Sequence, residues 1–531
     1  MRIALIAPPY PLEEAPSPPL GLTYIAAACE TAGAEVTILD FIVRGYSKKK
    51  LTAELKAFDP DIVGINSVTM NFNRAADILG LVKQTFPKVI TLMGGPHVSF
   101  DSENTLALCP QIDIIVKGEG EATVQELLKV IHRREKWSGI PGIVFKDRER
   151  ILTTAPRPFI QNLDSLPLPA RHLLPMARYQ ALGFPVSIIT SRGCPNHCIF
   201  CLGRRMVGQK VRFRSAGRIA DEIEGLCAMG ISFINIADDL FTASKRRVGQ
   251  FCNELVKRKL KVSWSAFSRV NTVDTQTLKL MKSAGCHSVS FGIESGNPEM
   301  LKRVKKGITI AQAKKAAKAC KEAGIRGHAS FMVGLPGETY ETMNDSRKLQ
   351  NELEIESGFH FLSPFPGTAV REDIADYDLE ILTQDWDQYN ANRSIVRTSA
   401  LTPEQMDEFI HDAYEQHRKD WEALTVKYEN KTATPQEQIQ VEGYHRMEMI
   451  FKLLTQDILE HHPAFHTGPD TALKELSGHM ATLTGLDYVF TESAIKDLIT
   501  KGFIRINVLG EKTRFSWALN SQLKPGPAIA H

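Results

Sequence analysis

Three cysteines of the chain stand in one short run, Cys194-Pro195-Asn196-His197-Cys198-Ile199-Phe200-Cys201, with three residues and then two between them. Nine cysteines in 531 residues meet in this spacing by chance in roughly 0.003 of such chains, so the run reads as a ligand set. A closed zinc site wants four protein donors, and the fourth is missing here, because His197 adjoins Cys198 and points elsewhere. Three thiolates hold three irons of a 4Fe-4S cubane and leave the fourth iron open to a small-molecule ligand. The run follows the β-like segment Val186-Ser187-Ile188-Ile189-Thr190, so a strand end delivers all three sulfurs into one loop.

This spacing, with Phe200 directly before the last cysteine, resembles the radical S-adenosylmethionine (SAM) superfamily. The resemblance implies that Cys194, Cys198 and Cys201 ligate a catalytic 4Fe-4S cluster, that Phe200 lies beside the cofactors, and that the open iron chelates the amino and carboxylate groups of SAM. An electron from the cluster then breaks a sulfonium C–S bond and leaves a 5'-deoxyadenosyl radical. The chemistry calls for a shielded cavity and for an external one-electron reductant such as flavodoxin or ferredoxin.

From residue 186 to about 367 apolar runs alternate with helical patterns, with strands expected at 186–191, 233–238, 262–268, 288–294, 328–333 and 359–363. Six such units match the partial (β/α)6 barrel of the radical SAM fold, with chemistry where strands end and loops begin. Asp238 and Asp239, ending the second strand, resemble the acidic motif that borders the SAM amino group, where a carboxylate accepts from the ammonium; the alternative is a solvated pair at a helix start. Arg269, ending the third, pairs with the SAM carboxylate or lines the substrate cavity, the alternative being an exposed arginine. Gly292-Ile293-Glu294-Ser295-Gly296 resembles the ribose-contacting motif, with Glu294 accepting from both hydroxyls and Ser295 beside it. Gly334-Leu335-Pro336-Gly337-Glu338-Thr339 resembles the stretch that cradles SAM through backbone groups, which makes Gly334, Pro336 and Gly337 contacts. Ser363-Pro364-Phe365-Pro366-Gly367-Thr368 resembles the barrel-closing segment of the cobalamin-binding subgroup.

Residues 1–140 also alternate strand and helix patterns, which predicts an open, Rossmann-like parallel sheet with its ligand site at the carboxyl ends of the strands. The chain reads Pro8-Pro9-Tyr10-Pro11 after the first strand, without the Gly-x-Gly-x-x-Gly of a dinucleotide site. The unit resembles the cobalamin-binding domain that precedes many radical SAM domains, on Pro18-Pro19-Leu20-Gly21-Leu22, Asp61-Ile62-Val63-Gly64-Ile65, Gly94-Gly95-Pro96-His97 and Lys117-Gly118-Glu119-Gly120-Glu121. The implied cobalamin contacts are Ser67, Gly94, Gly95, His97, Gly118 and Glu119. The Asp-x-His-x-x-Gly motif, whose histidine ligates cobalt in related domains, is absent; His97 and His132 are the only histidines before residue 150, and neither fits it. Bound cobalamin is therefore expected with its nucleotide tail displaced and no histidine on cobalt. The alternative is a sheet that keeps the fold and holds no corrinoid.

Composition fits a soluble, cytoplasmic enzyme, and the strand–helix alternation of both units an α/β fold. Hydrophobic residues make up 43% and charged residues 24%, with a formal net charge of +3, so nothing points to disorder or to a nucleic-acid partner. No run approaches the roughly 18 apolar residues of a membrane span, and the start Met1-Arg2-Ile3-Ala4-Leu5-Ile6 reads as a buried strand rather than a signal peptide. The six cysteines outside the triad show no paired spacing and read as reduced core thiols. Residues 141–182, interrupted by Pro141, Pro156, Pro158, Pro167, Pro169 and Pro175, read as a linker; 183–370 form the barrel, and 371–531 a mainly helical domain. In the last, Thr402 caps a helix with Pro403 in its first turn, and a closing helix and hairpin suggest a winged-helix-like module serving as substrate lid or interdomain brace.

For such an architecture the resemblance implies a cobalamin-dependent methyltransferase. One SAM methylates cob(I)alamin, a second yields the radical that takes hydrogen from an unactivated carbon, and the substrate radical collects the methyl group. Ring formation or rearrangement without methyl transfer, as in the anaerobic cyclase of tetrapyrrole biosynthesis, uses the same machinery. A redox-sensing scaffold with a non-catalytic cluster is a third reading, against which the SAM-contact motifs argue. The substrate is a small molecule that no motif identifies; its contacts are expected from Pro8 to Pro19, the barrel interior and the C-terminal region.

Overall fold

A computed structural model describes residues 1–10 and 16–523; residues 11–15, part of the segment expected to meet substrate, lie outside them. Strands β1 (Arg2–Ala7), β2 (Glu35–Asp40), β3 (Ile62–Asn66), β4 (Ile90–Gly94) and β5 (Ile114–Val116) form a parallel sheet in the order 2-1-3-4-5. Helices cover both faces, so β1 is buried from Ile3 to Ala7 without alternation, as a parallel strand sandwiched between layers requires. The order reverses between β1 and β3, and a crevice opens at their carboxyl ends.

The sheet does not stop at residue 140. Strand β6 (Ile143–Asp147) pairs antiparallel with β5, and β7 (Arg150–Thr153) antiparallel with β6. The first part of the expected linker is thus an edge hairpin, hidden in the sequence by the charged run Lys146-Asp147-Arg148-Glu149-Arg150 around its turn. The helix Met176–Leu182 that ends this stretch is also packed, with the Tyr179 hydroxyl donating to buried Asp40 at 2.7 Å.

Strand β8 (Val186–Ile188) leads into the two-residue strand β9 (Ser191–Arg192), which pairs antiparallel with β10 (Arg212–Phe213) and so brackets the cysteine loop. Strands β11 (Phe233–Ile236), β12 (Ser263–Ser268), β13 (Cys286–Glu294), β14 (Arg326–Val333) and β15 (Glu356–Phe361) join β8 in a six-stranded parallel sheet, each within three residues of its expected bounds. Bulky residues such as Trp264, Phe291 and Phe331 are buried on the helix side of these strands.

Beyond the barrel come helices Pro403–Glu429, Pro435–Thr455, Pro469–Thr484 and Tyr488–Thr500, then a hairpin of Ile504–Leu509 with Lys512–Trp517. Thr402 and Gln405 form a reciprocal capping box with Pro403 in the first turn, which satisfies backbone donors that no helical carbonyl reaches. Asp457, in the left-handed region at φ +46°, accepts from the Gly45 amide (3.1 Å) and the Lys50 Nζ (2.6 Å) of the first domain. The C-terminal helices therefore brace the N-terminal sheet. A single apolar cluster runs through Ile3, Ile188, Phe331, Met449 and Trp517, and at about 1.5–3 kcal/mol per fully buried large side chain it outweighs any one ion pair. No helix among the described residues is long and apolar enough to cross a membrane.

Candidate active site

The cysteine loop is held from both sides. The Cys194 amide donates to Gly208 O (3.1 Å), Ile199 to Val304 O (3.2 Å), and Val370 to Ile199 O (3.0 Å). Gly193, at φ +109°, comes so near its neighbour that a Cβ there would sit 2.4 Å from Lys210 O. Each sulfur has its own donor: Asn196 Nδ2 to Cys194 (3.3 Å), Arg269 Nη1 to Cys198 (3.6 Å), and the Gly203 amide to Cys201 (3.4 Å). Burial pushes the Cys201 thiol up to about 11, with the Gly203 amide opposing that rise. Cys201 lies within electrostatic reach of Cys198, Cys194 and Asp239. Three thiolates are one donor short of a closed tetrahedral zinc site and match a cubane with one open iron. His197 is exposed and accepts from Arg204 at Nδ1.

The acidic pair is split by its surroundings. Asp238 accepts from the Thr190 amide, Thr190 Oγ1 and Ser191 Oγ, each at 2.6 Å; burial pushes its carboxyl up and these bonds oppose that rise. Both oxygens are occupied, so Asp238 ties β8 to the end of β11 and is not free for the SAM amino group as expected. Asp239 faces the cysteine loop, its Oδ1 only 2.5 Å from where a Cβ on Gly203 would stand. Arg269 is buried rather than exposed, with Nη2 donating to Lys306 O and Nε unpaired, an orphaned donor beside the Cys198 thiol.

Glu294 has φ +75° and folds back over Gly292, where a Cβ would lie 2.3 Å from Glu294 Oε1. Glycine is required there to make room for the carboxylate. Lys306, which the motif reading missed, donates to Glu294 Oε1 at 2.6 Å and stands 5.8 Å from the centre of the Phe200 ring, linking the ribose motif to the cysteine loop. Ser295 is fully buried and accepts from the Asn297 amide (3.1 Å), which makes it part of the strand end rather than an open contact. The turn at Gly334 and Gly337 is likewise paired internally. Glu338 Oε2 accepts from the Gly334 and Leu335 amides (2.7 and 3.2 Å), the Gly337 amide donates to Asp378 O (3.0 Å), and Arg303 Nη1 donates to Pro336 O (3.0 Å) and Gly337 O (2.8 Å). This turn shapes the site; its amides at 334, 335 and 337 are not available to a ligand. Burial pushes Glu338 up to about 8, with the Gly334 and Leu335 amides opposing that rise.

At the carboxyl ends of β1, β3 and β4 lies a cavity of about 390 Å³, lined by Gly64, Gly94 and Gly118 on the sheet side and by Arg192, Met206 and Asp239 on the barrel side. A Cβ at Gly94 would meet its first neighbour at 3.6 Å, and one at Gly118 nothing within 4 Å, so these backbone edges stand clear, as a large flat ligand requires. Gly95 also lines the cavity, but its φ of +111° and a Cβ position 2.3 Å from Ser67 O reflect the fold. Ser67, whose amide donates to Gly94 O (2.9 Å), is behind that turn and does not line the cavity.

His97 corrects the expectation more sharply. Its ring packs between Phe72 and Trp386, with centroids 4.2 and 4.9 Å away, and its Nδ1 is 3.3 Å from Thr69 Oγ1. Burial and the Arg371 charge lower its pKa to about 4. It does not reach the cavity, and no histidine among the described residues lines it.

Glu119 is a clamp. Arg212 donates to both of its oxygens at 2.9 Å, Arg192 Nη1 adds 3.2 Å, and the Ile160 amide 2.8 Å, while Arg192 Nη2 reaches Glu121 at 2.5 Å. Burial raises the Glu119 pKa, but the Arg212 bond, the Ile160 amide and the two arginine charges outweigh it and hold the carboxyl below its usual range. The Lys117–Glu121 motif thus joins the first sheet to the two short strands flanking the cysteine loop. Arg192 and Arg212 were missed, although a signal existed: residues 165–220 contain nine Lys and Arg and no Asp or Glu, so any of these cations that became buried had to find acids elsewhere.

A three-thiol loop on a partial barrel, facing a glycine-edged sheet cavity, defines an enzyme that pairs an iron–sulfur cluster with a corrinoid. The Radical SAM superfamily profile matches residues 188–349, and the B12 binding domain profile residues 14–128. The chain is 36% identical over 424 residues to an uncharacterized methyltransferase of Pyrococcus horikoshii, spanning 78% of this chain and 92% of that protein. It is 30% identical over 419 residues to the anaerobic magnesium-protoporphyrin IX monomethyl ester cyclase of Cereibacter sphaeroides, spanning 76% and 68%. The fold is that of the radical SAM methyltransferase TsrM from Kitasatospora setae with cobalamin and a [4Fe-4S] cluster bound (TM-score 0.64, 22% identity, 78% of this chain and 85% of that one) and of the cobalamin-dependent SAM radical enzyme OxsB (0.68, 18%, 94% and 79%). The chain belongs to the radical SAM superfamily, in the branch whose barrel follows a B12-binding domain. Its cofactors are a 4Fe-4S cluster, SAM and cobalamin.

Proposed function

We propose that the chain transfers a methyl group from SAM, by way of cobalamin, to an unactivated carbon of a small molecule. The observation that carries this reading is the shared wall: Asp239 lines the sheet cavity and also bears on Cys201, so the corrinoid and cluster sites adjoin. When bound, the cofactors supply the electron, the hydrogen-abstracting radical and the methyl carrier. The chain's own work is positional. Cys194, Cys198 and Cys201 anchor the cluster, Arg269 and Asp239 border it, and Gly94 and Gly118 leave edges on which the corrinoid lies. The test is product stoichiometry: one S-adenosylhomocysteine per 5'-deoxyadenosine supports methyl transfer, whereas 5'-deoxyadenosine alone marks the cyclase type of reaction.

Glu294, with Lys306 fixing one oxygen, is placed to accept from the SAM ribose with the other. Because charge-assisted hydrogen bonds contribute about 1.5 to 3 kcal/mol each, Glu294→Ala is expected to weaken SAM binding at least tenfold while the cluster spectrum persists. Glu294→Gln, which leaves Lys306 a partner, controls for folding; an unchanged dissociation constant in both variants would mark Glu294 as structural. With cobalamin bound, the Co(II) paramagnetic resonance is expected to lack the threefold splitting of an axial nitrogen, in wild type and in His97→Ala alike. A splitting that His97→Ala removes would refute a histidine-free lower face.

The electrons are expected from an acidic one-electron carrier of the flavodoxin or ferredoxin kind. Exposed Arg205 and Lys210 follow the cysteine loop, and exposed Lys302 and Lys305 flank Val304, which bonds to Ile199 within it. Nine free cysteines and an oxygen-sensitive cluster suit the reducing cytoplasm.

A further inference from the structure

A strand at the edge of a sheet offers a row of unpaired N–H and C=O groups, and folded proteins cover that row or break it with lysine, proline or a bulge. The barrel covers its own: at the outer edge of β15 the Phe361 amide donates to Ala391 O (3.0 Å) and the Phe359 amide to the Tyr414 hydroxyl (2.9 Å). In the C-terminal hairpin the second strand, Lys512–Trp517, is covered as well, with Phe465 and Thr513 exchanging both backbone bonds at 2.9 Å. The first strand, Ile504–Leu509, is not.

The phase of the ladder shows which groups are left. The Ala518 amide donates to Phe503 O at 2.9 Å, and the antiparallel register continues from there. Arg505 and Asn507 therefore turn their backbone to the second strand, while Ile504, Ile506 and Val508 turn theirs outward. Among the described residues nothing pairs with these three N–H and three C=O groups. The run Ile504-Arg505-Ile506-Asn507-Val508-Leu509 holds neither lysine nor proline. Its apolar face also runs out of cover: Ile504 is 1% exposed, Ile506 36% and Val508 55%, although Phe515 and Thr513 beside the last two are buried. Backbone and side chains lack a neighbour at the same place.

We propose that this neighbour is the same strand of a second copy of the chain, which builds one four-stranded antiparallel sheet across a twofold axis at Ile506. The strand is its own complement in this register. Ile506 meets the partner's Ile506, Ile504 meets the partner's Val508, and every outward N–H and C=O of both copies is used. On the opposite face Arg505 meets the partner's Asn507, so the strand's one charge never faces its like. A shift by one residue sets Ile506 against the partner's Asn507 and mixes the apolar and polar faces. A shift by two leaves outward groups unpaired at one end, and in one direction it also sets Arg505 against the partner's Arg505, a destabilising contact. Because the contact is isologous it closes at two copies.

The test is sedimentation equilibrium of the full chain carrying its cluster and cobalamin, over a wide range of protein concentration, with amide hydrogen exchange read at both ends of that range. A reversible monomer–dimer equilibrium is expected, with the amides of Ile504, Ile506 and Val508 protected only where the dimer is populated. Ile506→Pro removes an N–H that no bond within the monomer uses, and proline is tolerated on an edge strand in that position. This variant should keep the wild-type circular dichroism and cofactor content and sediment as a monomer. Asn507→Arg brings like charges together at both symmetric contacts and should raise the dimer dissociation constant about tenfold; adding Arg505→Glu turns each contact into an ion pair and should restore it. A chain that is monomeric at every concentration, or a dimer that survives Ile506→Pro or ignores the charge exchange, would overturn the proposal. So would protection of these amides that does not change with concentration, the result expected when residues 524–531 of the same chain lie along the strand.

Discussion

Alanine at Cys194, Cys198 or Cys201 is expected to remove the visible absorption of anaerobically reconstituted protein and all SAM cleavage. Each thiolate is one of three anchors, and alanine supplies no donor in its place. Asn196, Arg269 and Gly203 each donate to a different sulfur, so loss of one thiolate also strands a donor placed for its charge. Iron content, the absorption spectrum and 5'-deoxyadenosine formation are the measurements. Full iron loading with turnover in any single variant would sink the assignment of the cluster.

Glu119→Ala is expected to be the most damaging substitution outside that loop. Removing one partner of a buried, fully hydrogen-bonded ion pair costs about 3–5 kcal/mol, against about 5–15 kcal/mol for a whole domain, and here Arg212 is left buried without its carboxylate while Arg192 keeps Glu121. The urea midpoint should fall accordingly, and cobalamin uptake should fall with it, because the clamp fixes the sheet cavity against the cysteine loop. The effect has a pH signature. The folded pKa of Glu119 lies below the ordinary value of 4.5, so its contribution is fully present above that value and is lost as pH falls through the folded pKa. Glu119→Ala should therefore narrow its stability deficit as the pH drops below about 4.5. Equal midpoints for wild type and variant at pH 7 would show that the clamp carries no load.

Much of the architecture was legible from pattern alone. Short runs separated by helical periodicity placed the parallel strands of both units: those of the first sheet are apolar along their length because both faces are covered, while β12 and β14 alternate buried and half-buried positions with a period of two. The edge hairpin at Ile143–Asp147 and Arg150–Thr153 was not legible, since an edge strand with a solvated turn need not be apolar and its charges read as linker.

What the sequence by itself determined was the chemistry held within a few residues. The cysteine spacing, the glycines at strand ends and the Thr402–Gln405 capping box act over one loop or one helical turn, so composition and spacing specify them. The tertiary structure alone decided which motif residues face a ligand and which hold the protein together. Asp238 and Asp239 are neighbours in sequence, yet one is bound by Thr190 and Ser191 and the other faces the cysteines. Glu119 lies 93 residues from Arg212, and Asp457 lies 412 from Gly45. A carboxylate that ends near a buried arginine must pair with it, because an uncompensated charge cannot stay in a low-dielectric interior, and which arginine that is depends on how the strands pack.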